Sequence, residues 1–153
     1  MPSFNSLTAL EKYIKNSVKE SFKNVGEYVV EETKQEVDED VYSYKPTQYP
    51  RTEKLKNSIV AKEEKNTANS MKISIEHDES LMDFESIVTG EDVSKELPYW
   101  IHEGHVPNIF NNNDYPWMHS RPYMENTVKK LEKNKGHVKK LKEELKKYGI
   151  DAE

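Results

Sequence analysis

Apolar residues at steps of three and four predict a long helix at the start of the chain. The stripe consists of Leu7, Leu10, Ile14, Val18, Phe22, Val25 and Val29. We predict a helix over about residues 6–39, with Ser6 as the N-cap because its hydroxyl can accept a hydrogen bond from a first-turn amide. Gly26 lies inside this stretch, where glycine is unfavourable, so we expect a bend or a close contact there.

The predicted end of this helix is strongly acidic. Its acids are Glu31, Glu32, Glu36, Asp38, Glu39 and Asp40. The helix dipole disfavours negative charge at a C-terminal end. We therefore expect this end to fray or to meet a basic partner surface.

Strict alternation predicts a β-hairpin in the middle of the chain. In 71–77, Met71, Ile73 and Ile75 fall on one face and polar residues on the other, which is the period of a half-buried strand. A second strand is predicted over 59–64, with one face of the hairpin packed on the first helix. The stretch 81–95 stays open between a third strand and a short helix.

A second helix is predicted over 121–148. Met124, Leu131, Val138 and Leu145 lie seven residues apart, which forms a narrow seam that could pair with another chain or fold back on the first helix. Gly136 should bend or split this helix. Arg121-Pro122 should mark its start, because proline is tolerated in a first turn.

Together these elements predict an α+β fold, with a long N-terminal helix and a C-terminal helix packed on a small antiparallel sheet. We divide the single domain, 1–153, into a helix with an acidic end (1–40), a Tyr/Pro loop (42–58), a β region (59–97), a turn and loop (98–120) and a basic helix (121–148). Three tyrosines of the loop, Tyr42, Tyr44 and Tyr49, suit either a contact surface or packing on their own domain.

Composition narrows the class of protein. Apolar residues make up 34% and charged residues 33% of the 153 residues, so the core is thin. The chain has no cysteine, which excludes a disulfide framework, a thiolate zinc site and a cysteine nucleophile. It has no run of eighteen apolar residues and no signal-peptide pattern, so we expect a cytosolic product or a part of a larger assembly.

Charge is distributed unevenly along the chain. Residues 1–120 carry 13 Lys and Arg against 22 Asp and Glu, whereas residues 121–148 carry 10 against four. An acidic body with a basic helix could stack head to tail with other copies, and we expect that helix to meet the acidic 31–40 region of a neighbouring subunit. A solvated helix and a nucleic-acid contact through its lysines are the alternatives.

The strongest candidate for catalytic chemistry is the sequence His102-Glu103-Gly104-His105, with Asp114 and His119 downstream. A metalloprotease needs H-E-x-x-H, in which two histidines four apart share a helical face. Here the histidines are three apart and a glycine separates them, so a turn is the better interpretation. A metal-dependent hydrolase using His102, Glu103 and His105 remains an alternative.

No other catalytic pattern is present in the sequence. The serines lie in no G-x-S-x-G setting, and the five glycines are too scattered for a phosphate loop. We therefore predict no enzyme, no catalytic or metal-binding residues and no cofactor.

Three short blocks occur in a fixed order. The first is 51–59 (RTEKLKNSI), the second 98–104 (PYWIHEG) and the third 121–124 (RPYM). Together they resemble the head–tail joining or tail-completion proteins, the minor neck proteins of long-tailed bacteriophages. The residues that carry the resemblance are Arg51, Leu55, Ser58, Tyr99, Trp100, His102, Glu103, Gly104, Arg121, Pro122 and Tyr123.

The resemblance implies a structural virion protein. Its subunits would form a hexameric ring between the head connector or stopper proteins and the tail terminator or tail tube. It would reside in the neck of the virion and in the host cytoplasm during assembly, without a membrane contact. A tail terminator that caps the tail tube is the nearest alternative. Within the second block we expect Gly104 to make a backbone turn and Tyr99 and Trp100 to anchor packing.

Overall fold

The computed structural model describes residues 3–43, 52–64, 67, 70–86, 89–104 and 119–152. Among them, helix α1 runs over Leu7–Glu36. Ser6 caps it as predicted, since its Oγ accepts a hydrogen bond from the Ala9 amide at 3.2 Å. None of the helices within these ranges has both the length and the apolar character needed to cross a membrane.

The acidic end of α1 does not fray. The helix continues as one π-helical turn over Val37–Val41, and Val37 and Val41 are both buried in the core. The expectation of fraying was wrong, because these two valines lie between the acids and fix the turn against the rest of the domain.

The predicted hairpin is confirmed. Strands β1, Ile59–Glu63, and β2, Ile73–His77, pair antiparallel. Ile59 lies opposite His77 and Ala61 opposite Ile75, so these side chains share the face that packs on α1.

Gly26 is the point of closest approach between α1 and the hairpin. A Cβ atom there would lie 3.1 Å from both Ala61 Cβ and Ile73 Cγ2. The expected close contact at Gly26 is therefore confirmed, and the absent side chain lets the helix lie directly on the sheet.

We expect Gly26→Val to lower the free energy of unfolding by about 1 to 3 kcal/mol, because extra methyl groups would push α1 away from the hairpin. The same residue introduced at the neighbouring exposed position, Glu27→Val, should change stability by less than about 0.5 kcal/mol. Thermal unfolding followed by circular dichroism measures both. Equal losses in the two variants would contradict the close packing.

The stretch that stayed open, 81–95, is neither a strand of the sheet nor an α-helix in its described part. A short 3₁₀ helix covers Glu79–Leu81. Beyond it, Glu85 and Asp92 form an isolated antiparallel bridge, and the Val93 amide donates to the Phe84 carbonyl at 2.8 Å. The described residues on either side of this pairing thus form a small antiparallel contact of their own, separate from the β1–β2 sheet.

The C-terminal helix is split, as expected. Helix α4 covers Tyr123–Asn134 and helix α5 covers Gly136–Lys147. The residue between them, Lys135, has left-handed backbone angles of φ 55° and ψ 30°, so the break lies one residue before the predicted glycine. Both helices fold back on α1, which confirms one of the two alternatives for the seam.

The main core lies where the end of α1, the short helix α2 (Lys54–Asn57), the hairpin and the start of α4 meet. Its buried members are Val30, Val37, Val41, Leu55, Ile59, Met82 and Tyr123. Helices and one small antiparallel sheet around this core confirm the α+β class. Tyr42 packs against the core, whereas Tyr44 and Tyr49 lie outside the described residues.

The apolar stripe of α1 is only partly buried. Leu7 is 81% and Ile14 is 41% exposed. The residues of α1 with less than a tenth of their surface exposed are Ser17, Ser21, Gly26, Val30, Thr33 and Glu36. Small and polar side chains thus occupy much of the contact face, because they allow neighbouring elements to approach closely.

Candidate functional site

Three polar side chains, two of them buried and one partly buried, connect α2, the hairpin and α4. Ser58 Oγ lies 2.6 Å from His77 Nδ1, and His77 Nε2 lies 2.7 Å from the Tyr123 hydroxyl. Ser58 and Tyr123 are at most 1% exposed. We call these three residues the Ser58–His77–Tyr123 chain.

The proton positions in this chain follow from its partners. Ser58 has one hydroxyl proton, which it donates to the Leu55 carbonyl at 2.8 Å, so His77 Nδ1 must donate to Ser58 Oγ. His77 Nε2 then carries no proton and accepts from the Tyr123 hydroxyl. All three side chains are satisfied when His77 is the neutral Nδ1–H tautomer.

Burial keeps these groups uncharged. It lowers the pKa of His77 to about 4, because the imidazolium would lose its hydration. It raises the pKa of Tyr123 for the same reason. The serine hydroxyl is fully buried and donates to a backbone carbonyl. The Ser58–His77–Tyr123 chain therefore lacks the exposed nucleophile that acyl transfer requires. The arrangement stabilises the fold.

The second and third sequence blocks are joined to each other by backbone contacts. Helix α3, Leu97–Glu103, ends at Gly104 with a φ of 81°, which confirms the expected backbone turn. The Arg121 amide donates to the Ile101 carbonyl at 3.0 Å. The Ser120 hydroxyl donates to the carbonyl of His102 at 2.5 Å.

The side chains of this junction include a histidine between two acids. His102 Nε2 lies 3.6 Å from Glu103 and 3.5 Å from Glu125 of α4. Pro122 immediately precedes α4, as the expected start at Arg121-Pro122 requires. The three blocks therefore meet around the first turn of α4, with Leu55 and Ser58 on one side and the end of α3 on the other.

Two expectations for the second block had different outcomes. Trp100 is half-buried, whereas Tyr99 is 66% exposed. With most of its surface exposed, Tyr99 is not the packing anchor that the sequence predicted.

Several sequence candidates cannot be placed in this site. Arg51, His105 and Asp114 lie outside the described residues. Within the parts of the chain that the structure describes, no group of three or more His, Asp or Glu residues could hold a metal ion. The alternative of a metal-dependent hydrolase using His102, Glu103 and His105 stays a prediction, since His105 lies outside the described residues.

The acids at the end of α1 are matched by cations of the same chain. Lys130 Nζ lies 2.9 Å from Glu36 and 3.3 Å from Glu32, and Lys56 Nζ lies 2.9 Å from Asp38. The expected basic partner surface is therefore present, and it belongs to α4 and α2. A neighbouring subunit is not needed to neutralise these three acids.

The residue that the sequence analysis missed is His77. It continues the alternation of Met71, Ile73 and Ile75 and thus occupies an inward-facing position of β2. A histidine at an inward position signals a buried hydrogen-bonding partner, and this signal could have identified it.

A family model described as YomN matches residues 6–147. No curated protein and no solved structure matches the chain. Because the family match spans more than half of the sequence, the chain belongs to the YomN family, which is associated with phages and prophages.

Proposed function

We propose that this protein is a structural virion protein of a tailed phage or prophage, which forms a ring in the neck and joins the DNA-filled head to the tail. Membership of a phage-associated family supports the phage origin. The observation that carries the finer assignment is the meeting of the three resemblance blocks around the first turn of α4. Leu55 and Ser58 reach Tyr123 through His77.

This arrangement suits a rigid structural part. Ser58 and Tyr123 are almost fully buried, and their partners are other groups of the same chain. Residues from distant blocks thus fix the position of α3 and of the start of α4, and a fixed surface is what a repeated subunit contact needs.

Tyr99 is the side chain of these blocks that this packing does not explain. It lies on α3, whose end is fixed by the Ile101–Arg121 hydrogen bond, yet its ring is 66% exposed. Tyrosine buries a large area at a low cost in side-chain entropy and is enriched in protein interfaces. We assign Tyr99 to the contact with another neck subunit or with the head or tail.

Electron microscopy of particles made after a stop codon is placed early in the gene tests this proposal. We expect filled heads and finished tails that are not joined, and joining restored by added wild-type protein. The Tyr99→Ala protein should restore joining at least ten-fold less well, because it loses a central aromatic contact.

Leu81→Ala is the matched control. Leu81 is 48% exposed and lies outside the three blocks, so this variant should restore joining like wild type. Overlong or ragged tails in the stop mutant would assign the protein to tail termination instead. Normal infectious particles would overturn the proposal.

A further inference from the structure

The junction between α4 and α5 consists of a single residue in an unfavourable conformation. Lys135 has a φ of 55°, a region that lysine rarely adopts because its Cβ approaches the backbone carbonyl. The amides of the first turn of α5 have no helical acceptor at this break. Asn134 compensates in part, since its Oδ1 accepts from the Gly136 amide at 2.6 Å.

Rotation of Lys135 alone into the right-handed region would fuse the two helices. The product would be one helix over 123–147. Its seam of Met124, Leu131, Val138 and Leu145 would then lie along one face. In the structure the chain bends at Lys135, and we call this the bent form. The seam is interrupted there, and Val138 is 38% exposed.

The contact that holds α5 on α1 includes specific polar pairs beside the buried Leu145. Tyr13, Ser17, Ser21 and Asn24 share a helical face by their spacing, and the two ends of this face bond to α5 and to Tyr148 just after it. The Asn24 amide donates to Glu144 at 2.8 Å, and the Tyr13 hydroxyl donates to the Tyr148 carbonyl at 3.1 Å.

Between these two hydrogen bonds the face of α1 is made of small side chains. Ser17 and Ser21 are buried, and Ser21 Oγ has no hydrogen-bond partner among the described residues. A buried hydroxyl without a partner weakens the contact, so the hydrogen bonds from Asn24 and Tyr13 contribute much of its specificity.

We propose that Lys135 is a hinge at which α5 leaves its own α1 and docks in the same place on α1 of a second copy of the chain. The second copy supplies the identical partners, so Glu144 and Tyr148 regain every bond that they lose. Straightening also relieves the left-handed conformation and extends α4 by Lys135 and the twelve residues of α5. Successive exchanges of this kind link subunits head to tail, and such a chain closes into a ring when the rotation between subunits permits.

This exchange deepens the proposed function and rests on its ring-forming part. Cross-linking of purified protein tests it directly. The chain has no cysteine, so a Tyr13→Cys/Tyr148→Cys protein carries two thiols only, at positions whose rings lie 6.5 Å apart. After size separation, oligomers are treated with a short bifunctional maleimide and run on a denaturing gel.

We expect oligomers to give bands of two or more linked chains, and monomers to give one chain with an internal link. An oligomer whose links all lie within single chains would overturn the exchange and leave the neck assignment untouched. Conversely, linked chains from a protein whose stop mutant still makes normal particles would support the exchange without the neck role.

Variants at the junction should shift the balance between the bent monomer and the exchanged oligomer in opposite directions. Lys135→Gly removes the penalty of the left-handed residue, and the oligomer fraction should fall by roughly five-fold. Gly136→Ala favours the continuous helix, because a Cβ there would overlap the Tyr28 hydroxyl in the bent form and alanine is the better helix former. The oligomer fraction should then rise by roughly five-fold.

Asn134→Ala keeps this test valid if Gly136→Ala does not fold. Asn134 is exposed, and its loss removes the hydrogen bond to the Gly136 amide that exists only in the bent form. This variant should raise the oligomer fraction as well. An oligomer fraction that is the same in Lys135→Gly, Asn134→Ala and wild type, measured by light scattering, would overturn the hinge.

Discussion

Stability should fall by about 2 to 3 kcal/mol as the pH is lowered from 7 to 4.5, because the partly buried His77 is neutral in the folded protein. Burial lowers the pKa of His77 from 6.5 to about 4. Between these two values the unfolded chain binds a proton that the folded chain does not bind. Protons therefore favour unfolding, and the stability due to neutral His77 is complete above pH 6.5 and lost as the pH falls toward 4.

Urea unfolding at closely spaced pH values measures this effect. The pH range of the loss distinguishes the contribution of His77 from the contributions of the carboxylates. Glu144, whose pKa is lowered to about 2 by hydrogen bonds from Lys147, Lys140 and Asn24, has an ordinary value of 4.5. Its contribution is therefore lost only below about pH 4.5. The region from pH 7 to 4.5 reports on histidine.

The control for this prediction is His77→Gln, which removes the titrating group from the chain between Ser58 and Tyr123. We expect this variant to be less stable at pH 7 and to have a much flatter pH dependence between pH 7 and 4.5. A variant that keeps the wild-type slope would show that another group causes the dependence.

Tyr123→Ala should lower the free energy of unfolding by about 3 to 5 kcal/mol, since it empties the volume of a large core side chain. Tyr123 is 1% exposed and belongs to the main core. Tyr123→Phe keeps the ring but leaves His77 Nε2 without its donor, and we expect a loss of about 1 to 3 kcal/mol. The difference between the two variants separates packing from hydrogen bonding.

Urea denaturation at pH 7 measures these losses. The matched control is Tyr99→Phe, which removes a hydroxyl from an exposed tyrosine and should change stability by less than about 0.5 kcal/mol. If Tyr123→Phe were as mild as this control, the hydroxyl would have no role in holding His77, and the assignment of its tautomer would be wrong.

The sequence alone predicted the elements that depend on residues close together in the chain. The Ser6 cap, the alternation of β2 and the break near Gly136 each depend on the residues of one segment. The position of the break at Lys135 was missed because glycine is the residue expected in a left-handed conformation. Gly136 has another use here, since its missing side chain makes room for Tyr28.

The features that the sequence did not reveal depend on contacts between segments. Hydropathy marked Leu7 and Ile14 as the contact face of α1, yet these residues are exposed, and Ser17 and Ser21 are buried. Buried serines are visible only when the neighbouring helix is in place. The same holds for Lys130, whose partners Glu32 and Glu36 lie about a hundred positions earlier in the chain.

The contact of Lys130 with Glu32 and Glu36 has a consequence for ionic strength. The two carboxylate side chains are only 15% and 10% exposed, so dissolved ions screen this contact much less than a surface pair. The pair of Lys62 and Glu76, with exposed fractions of 69% and 40%, should weaken at high salt. The docking of α4 on α1 should thus persist between media of very different salt content.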